Sequence, residues 1–236
     1  MSKMAATEKN KQAAGNTGRL PPLRGAILDV DGTLLDSMPM WDQLAAKFLR
    51  SRGLQPKPDV NEKIKDMTVA AAGRYFQKQY GLQASLAEIE AGVRELVRHY
   101  YAAEAKLKPG VRDFLEFLHR RQVPLCLATV TEAALVRSAL ERHGVLPYFS
   151  GIITCREAGG KDQPGIFLQA RELLGTPLAG TYVFEDSYYA MATAKAAGFP
   201  VVAVFDASSA VDQASIQKLA DLYVRNLTET EAYLHV

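Results

Sequence analysis

GAILDVDGTLLDS, residues 25 to 37, runs apolar as far as Leu28, sets Asp29 and Asp31 around Val30, and follows with Gly32-Thr33 and a second apolar pair. Asp-Gly between apolar runs is the strongest short-range signal for a β-hairpin, and D-x-D also opens a calcium-binding loop. The calcium loop fails on composition. It needs a third oxygen ligand before its glycine and a late glutamate, whereas Gly32 follows Asp31 directly. A hairpin needs a pairing strand after the turn, and the stretch after Asp36 reads as helix instead. Two carboxylates therefore stand where the first hydrophobic strand ends. Alternate side chains of a strand share a face, so Asp29 and Asp31 lie together with Val30 turned inward.

Short apolar runs recur at Gly25–Val30, Leu125–Val130, Gly151–Thr154, Thr181–Phe184 and Val201–Phe205, rich in branched residues and barely alternating. That is the pattern of strands covered on both faces. Segments of helical period lie between them. In GVRDFLEFLHRRQ, Val111, Phe114, Leu115 and Leu118 share one side. TEAALVRSALERHG offers Thr131 as a cap and Gly144 as a left-handed stop. Pro164 suits the first turn of a helix carrying Ile166 to Leu174, and Ser187 to Ala197 closes on Gly198.

Strands alternating with helices predict an α/β fold with a doubly wound parallel sheet. Ligands of such sheets bind beyond the carboxyl ends of the strands. One connection is too long: a crossover needs about a dozen residues, yet the strand after Val30 begins near Val123. The helix from Val111 supplies that crossover, so residues 38–107 read as an inserted α-helical unit. Residues 23–37 and 108–236 then form the core, and residues 1–22 a polar, disordered tail.

Composition narrows the partners. The chain has 236 residues, 48% hydrophobic and 23% charged, as in ordinary globular proteins. A formal net charge of +2 is too small to argue for nucleic acid or an anionic membrane. No apolar run approaches the roughly 20 residues of a membrane span, and the N-terminus lacks the apolar core of a secretory signal. Cys126 and Cys155 have no metal-ligand spacing and read as unpaired thiols of a reducing compartment. The expectation is a cytoplasmic protein, a monomer or weak homo-oligomer, acting on a small molecule.

The parallel sheet brings other strand ends beside Asp29 and Asp31. They carry Thr129 after PLCLA, Lys161 in the loop after GIITC, and Glu185-Asp186 after TYVF. Neighbouring carboxylates raise one another's pKa, and a hard divalent cation such as Mg²⁺ is the natural compensation. Each residue also has a plainer reading. Thr129 and Ser187 are able to cap helices, Lys161 to be a solvated loop lysine, and Glu185-Asp186 to complement a helix dipole.

With those residues in order, the sequence resembles the haloacid dehalogenase-like hydrolases, from about Gly25 to Phe205, in the branch with a helical cap inserted after the first strand. D-x-D-G-T at Asp29–Thr33 matches that family's first motif and Thr129 its second. Lys161 with Pro164 and Ile166-Phe167 matches the third, and F-E-D-S at Phe184–Ser187 the fourth. The resemblance implies a Mg²⁺-dependent phosphoric monoester hydrolase. Asp29 would be the nucleophile that becomes an aspartyl phosphate, and Asp31 the acid and base. Mg²⁺ would sit on Asp29, the carbonyl of Asp31, and Asp186, with Glu185 beside them. N–H groups around Gly32, the Thr129 hydroxyl and the Lys161 ammonium would hold the phosphate, while Thr33 and Ser187 support the loops. Two positions depart from the pattern: Gly165 stands where the third motif usually has aspartate, and Ala190 where the fourth has glycine.

Asp36-Ser37-Met38-Pro39-Met40-Trp41-Asp42 resembles the opening of the cap in sugar-phosphate phosphatases, with the hinge near Asp36 and Ser37. β-Phosphoglucomutases carry a histidine where Trp41 stands, which favours hydrolysis over intramolecular transfer. The expected substrate is a small phosphorylated metabolite, a sugar or polyol phosphate. A phosphosugar mutase and a catalytically idle binding module are the alternatives.

Overall fold

Six strands form one parallel sheet: Gly25–Leu28 (β1), Leu125–Thr129 (β2), Phe149–Thr154 (β3), Thr181–Glu185 (β4), Val201–Val204 (β5) and Leu222–Val224 (β6), in the order β3-β2-β1-β4-β5-β6. A computed structural model of the protein describes residues 20–65 and 67–236; the tail reading of residues 1–19 lies outside them. The inner strands are buried along their whole length, which is why their sequences do not alternate. From β1 the chain winds outward through β2 to β3, and later through β4 and β5 to β6 on the other side. The direction reverses between β1 and β4, and ligands of such sheets bind beyond the carboxyl ends of the strands at that point.

Five strands match the apolar runs within a residue or two. The sixth does not announce itself: Leu222-Tyr223-Val224 is too short for a periodic signal. Strand β1 stops at Leu28, two residues earlier than the apolar run, so Asp29 and Asp31 lie just past the strand and not on it. The Asp29 N–H still bonds the Phe184 carbonyl at 3.0 Å and keeps the carboxylate in line with β4. The core around Ile27, Val183 and Val201 is filled by Phe167 and Met191 from the covering helices and by Phe199 from the loop before β5. Burial of each such side chain is worth about 1.5 to 3 kcal/mol. Ala190 lies wholly inside this core, and Gly165 opens the helix Gly165–Leu174.

The described residues divide into two compact units, one through Asp36 and from Lys106 onward, the other Ser37–Ala105. Lys106 and Leu107 belong with the sheet. Asp36 N–H bonds the Lys106 carbonyl at 2.9 Å, and Leu35 and Leu107 form an antiparallel bridge.

The second unit is helical, with helices Met38–Asp42, Leu44–Ser51, Val60–Ile64, Val69–Tyr80 and Leu86–His99. The first two of these helices are separated at Gln43. Thr68 caps Val69–Tyr80 by accepting from Ala71 N–H, and Ser85 with Glu88 forms a capping box. Phe48, Leu49, Val60, Phe76 and Ile89 make a separate core. Among the described residues, no helix is long and apolar enough to cross a membrane.

Candidate active site

Where β1 and β4 end, three carboxylates and one ammonium are buried together. Asp29 is 6% exposed, Lys161 3%, Glu185 1% and Asp186 5%. The Lys161 ammonium donates to Asp29 Oδ1 and, at 2.5 Å, to Glu185 Oε1. One oxygen of each of Asp29, Glu185 and Asp186 lies within 4.8 Å of the others. Three carboxylates against one ammonium leave surplus negative charge among buried groups.

The electrostatics follow. Burial pushes the Asp29 carboxyl up to about 7 against the pull of Lys161, with Glu185 and Asp31 adding to the rise. Burial pushes Asp186 up to about 9, reinforced by Glu185 and Asp29. Burial alone would lower the Lys161 ammonium, but Asp29 and Glu185 outweigh it and hold it above its ordinary value. A divalent cation among these oxygens reverses the logic for the carboxylates.

The four groups are not equivalent. Glu185 is bonded at both oxygens: Oε1 to Lys161, Oε2 to the N–H of Asp186 and Ser187 at 3.0 Å and to the Ser187 hydroxyl at 2.9 Å. These bonds make it an organiser of its own loop, while one of its oxygens still lies within 4.8 Å of oxygens of Asp29 and Asp186. Ser187 spends its hydroxyl on Glu185 and not on capping the helix Tyr188–Ala196. Asp186 accepts from Thr33 Oγ1 at 3.4 Å. Asp29 Oδ2 is buried with no hydrogen-bond partner among the described residues.

Asp31 and Gly32 sit in a tight loop closed by Leu34 N–H and Leu35 N–H on the Val30 carbonyl, at 2.9 and 2.8 Å. Gly32 has φ of 87°, and a Cβ there would lie 2.5 Å from Asp186 Oδ2. Only glycine suits both demands. Its N–H, expected to face a phosphate oxygen, donates instead to the Leu35 carbonyl at 2.9 Å. Asp31 Oδ2 accepts from the Thr131 hydroxyl at 2.7 Å, and Thr131 N–H donates to Thr129 Oγ1 at 3.0 Å. Asp36 and Ser37, the expected hinge, stand where the two units divide. In the helical unit, Trp41 donates its indole N–H to the Tyr101 hydroxyl at 3.2 Å, and Tyr75 packs edge-on against Phe76 and Tyr80.

Residues 23–198 match the sequence model of the haloacid dehalogenase-like hydrolases. The chain belongs to that family. A phosphorylated carbohydrates phosphatase of Thermotoga maritima is 27% identical to this haloacid dehalogenase-like hydrolase, over 75% of this chain and 82% of its own. A phosphoglycolate phosphatase of Pseudomonas fluorescens is 30% identical over 78% of this chain and 70% of its own. A solved Thermotoga maritima structure, provisionally named a β-phosphoglucomutase, superposes with a TM-score of 0.77 over 90% of this chain and all of its own. At 24% identity that likeness speaks for the fold alone.

Two residues of this haloacid dehalogenase-like hydrolase belong to the site without having announced themselves. Thr131 reads in sequence as a helix cap. Lys108, in LKPGV, reads as loop punctuation, yet its ammonium donates to the Gly32 carbonyl at 2.5 Å, the Phe205 carbonyl at 2.7 Å and Asp206 Oδ2 at 2.8 Å. Asp206 carries a signal that would have found it: a carboxylate following the apolar run of β5, at the same edge of the sheet as Asp29 and Glu185.

Proposed function

We propose that this hydrolase is a Mg²⁺-dependent phosphatase of a small phosphorylated metabolite, a sugar or polyol phosphate, working through an aspartyl phosphate on Asp29. The observation that carries the reading is Asp29 itself. It is buried, held through one oxygen by Lys161, and its other oxygen has no hydrogen-bond partner among the described residues. A carboxylate so placed is oriented for attack and left unsatisfied by the protein.

The donor set fits a hard cation: an unpartnered buried carboxylate oxygen, a second carboxylate in Asp186, and surplus negative charge around them. Asp29, Asp186 and the main-chain carbonyl of Asp31 would hold Mg²⁺, with Glu185 beside them. When bound, the ion supplies charge neutralisation between the anionic nucleophile and the anionic phosphate.

The residues of the chain then divide the work. An Asp29 oxygen attacks phosphorus, and the bond from phosphorus to the ester oxygen breaks. Asp31 gives its proton to the departing alkoxide. In the second half Asp31 takes a proton from water, which attacks phosphorus and releases phosphate and the Asp29 carboxylate. Lys161 keeps Asp29 aligned, and the Thr129 hydroxyl faces the transferred group. Gly32 contributes room for Asp186, and Thr33, Glu185 and Ser187 hold the loops.

A panel of phosphorylated metabolites read by free-phosphate release tests the reading. The expected result is turnover that requires Mg²⁺, stops with chelator, and falls about 10³-fold or more in Asp29→Asn. Absence of Mg²⁺-dependent turnover of p-nitrophenyl phosphate would overturn it. Hexose 1-phosphate should yield free phosphate; hexose 6-phosphate as the product would make the protein a mutase. Equal, slow activity on every compound would remove the sugar or polyol assignment.

A further inference from the structure

A threonine placed just before a helix ordinarily spends its hydroxyl on the first free N–H groups of that helix, worth about 1 kcal/mol. Thr131 does not. The helix Ala133–Arg142 starts from Glu132 with no side-chain cap, and the Thr131 hydroxyl crosses instead to Asp31 Oδ2 at 2.7 Å. A group from the β2 loop thereby reaches the β1 loop. Two further facts give the contact a direction. Thr131 is 6% exposed and fixed by its own N–H on Thr129 Oγ1, whereas Asp31 is only partly buried. Strands β1 and β2 are direct neighbours in register, Leu28 beside Leu127, which fixes how far apart the two loops start.

We infer that Thr131 is a positioning residue for the proton donor: its buried hydroxyl locks the Asp31 carboxyl in the orientation from which the leaving group is protonated. This rests on the reading of Asp31 as the acid in phosphoryl transfer. In that step the phosphorus–oxygen ester bond breaks, the new bond forms to Asp29, and the proton of Asp31 goes to the departing oxygen. A carboxyl free to rotate about its side-chain bonds spends little time within reach of that oxygen, and small misplacements of a reacting group are costly. The same Thr131 places its N–H on the Thr129 hydroxyl oxygen, so one short loop sets both the donor of the proton and a ligand of the phosphate.

The dependence on leaving group separates this role from simple structural support. p-Nitrophenolate departs without a proton; the alkoxide of benzyl phosphate, of similar size, needs one. In the full-length protein with saturating Mg²⁺, kcat/KM is measured for both esters, because it reports the first phosphoryl transfer. Thr131→Val keeps the shape and the main-chain bond and removes only the hydroxyl. It should lose about 10- to 100-fold on benzyl phosphate and stay within about 3-fold on p-nitrophenyl phosphate, and Thr131→Ser should restore the alkyl ester. Equal losses on both esters, or none on either, would overturn the inference. Asp31→Asn tells this failure from that of the underlying reading. If it discriminates between the esters and Thr131→Val does not, only the role of Thr131 falls. If Asp31→Asn treats both esters alike, Asp31 is not the acid and both fall.

Discussion

Lys161 and Lys108 stand at the same edge of the sheet, each drawn out of water against a carboxylate, and differ in what they leave over. Lys108 satisfies two main-chain carbonyls and Asp206, whose other oxygen accepts the N–H and hydroxyl of Ser208 at 2.9 and 2.7 Å. Burial works against the Asp206 anion, yet the bonds to Lys108 and Ser208 win, and its carboxyl is held below the ordinary value. Lys161 is shared between Asp29 and Glu185, with Asp186 close by, and there burial wins: Asp29 and Asp186 are both pushed upward. A closed polar network joins the Gly32 loop to the end of β5. An open one lies beside it, deficient in positive charge, a deficiency that a divalent cation would answer. The complete pair holds its loops in place, and in the proposed mechanism the incomplete one reacts.

The sharpest way to break this contrast is to open the closed network. Lys108→Met strands Asp206 and two carbonyls, and should cost about 3 to 5 kcal/mol in urea unfolding. Adding Asp206→Leu to the same chain should recover most of that loss, because it removes the stranded charge. A loss below about 1 kcal/mol for Lys108→Met would mean the pair does not tie the loops together.

A second test sets the two networks against each other by pH. Asp29 and Asp186 have folded pKa values raised above the unfolded value of about 4, so their contribution is whole below about pH 4. It is lost as pH rises through about 7 for Asp29 and about 9 for Asp186. Metal-free protein should therefore melt at steadily lower temperature between about pH 5 and pH 9. Mg²⁺ should restore more stability at the upper end of that range than at the lower, and an equal gain at both ends would contradict the open network.

The smallest expected effect refines the closed side. Asp206→Asn keeps oxygen and shape but removes charge, and should cost about 1 kcal/mol at neutral pH. The Asp206 carboxyl is lowered on folding, so its contribution is present above the unfolded pKa and disappears as pH falls through the folded value. The cost of Asp206→Asn should accordingly shrink below about pH 4; a cost that stays constant into acid would show that charge is not what Lys108 reads.

Period and punctuation along the chain were enough for the parallel alternation and for the strand ends near Asp29, Thr129 and Glu185-Asp186. Each of those is local: a buried strand must be apolar throughout, and a loop at its carboxyl end is where polar residues resume. The exact partners of the polar atoms were not local. Glu185 turned inward to bind its own loop, the Gly32 N–H went to Leu35, and the Thr131 hydroxyl left its helix for Asp31. Lys108 met Asp206 across nearly 100 residues of chain. A hydroxyl or ammonium has several acceptors within reach, and which one it takes depends on the register of neighbouring strands and the path of the loops between them. The sequence determined which chemical groups gather at the sheet edge. Only the tertiary structure decided which of them are satisfied and which, like Asp29 Oδ2, have no hydrogen-bond partner among the described residues.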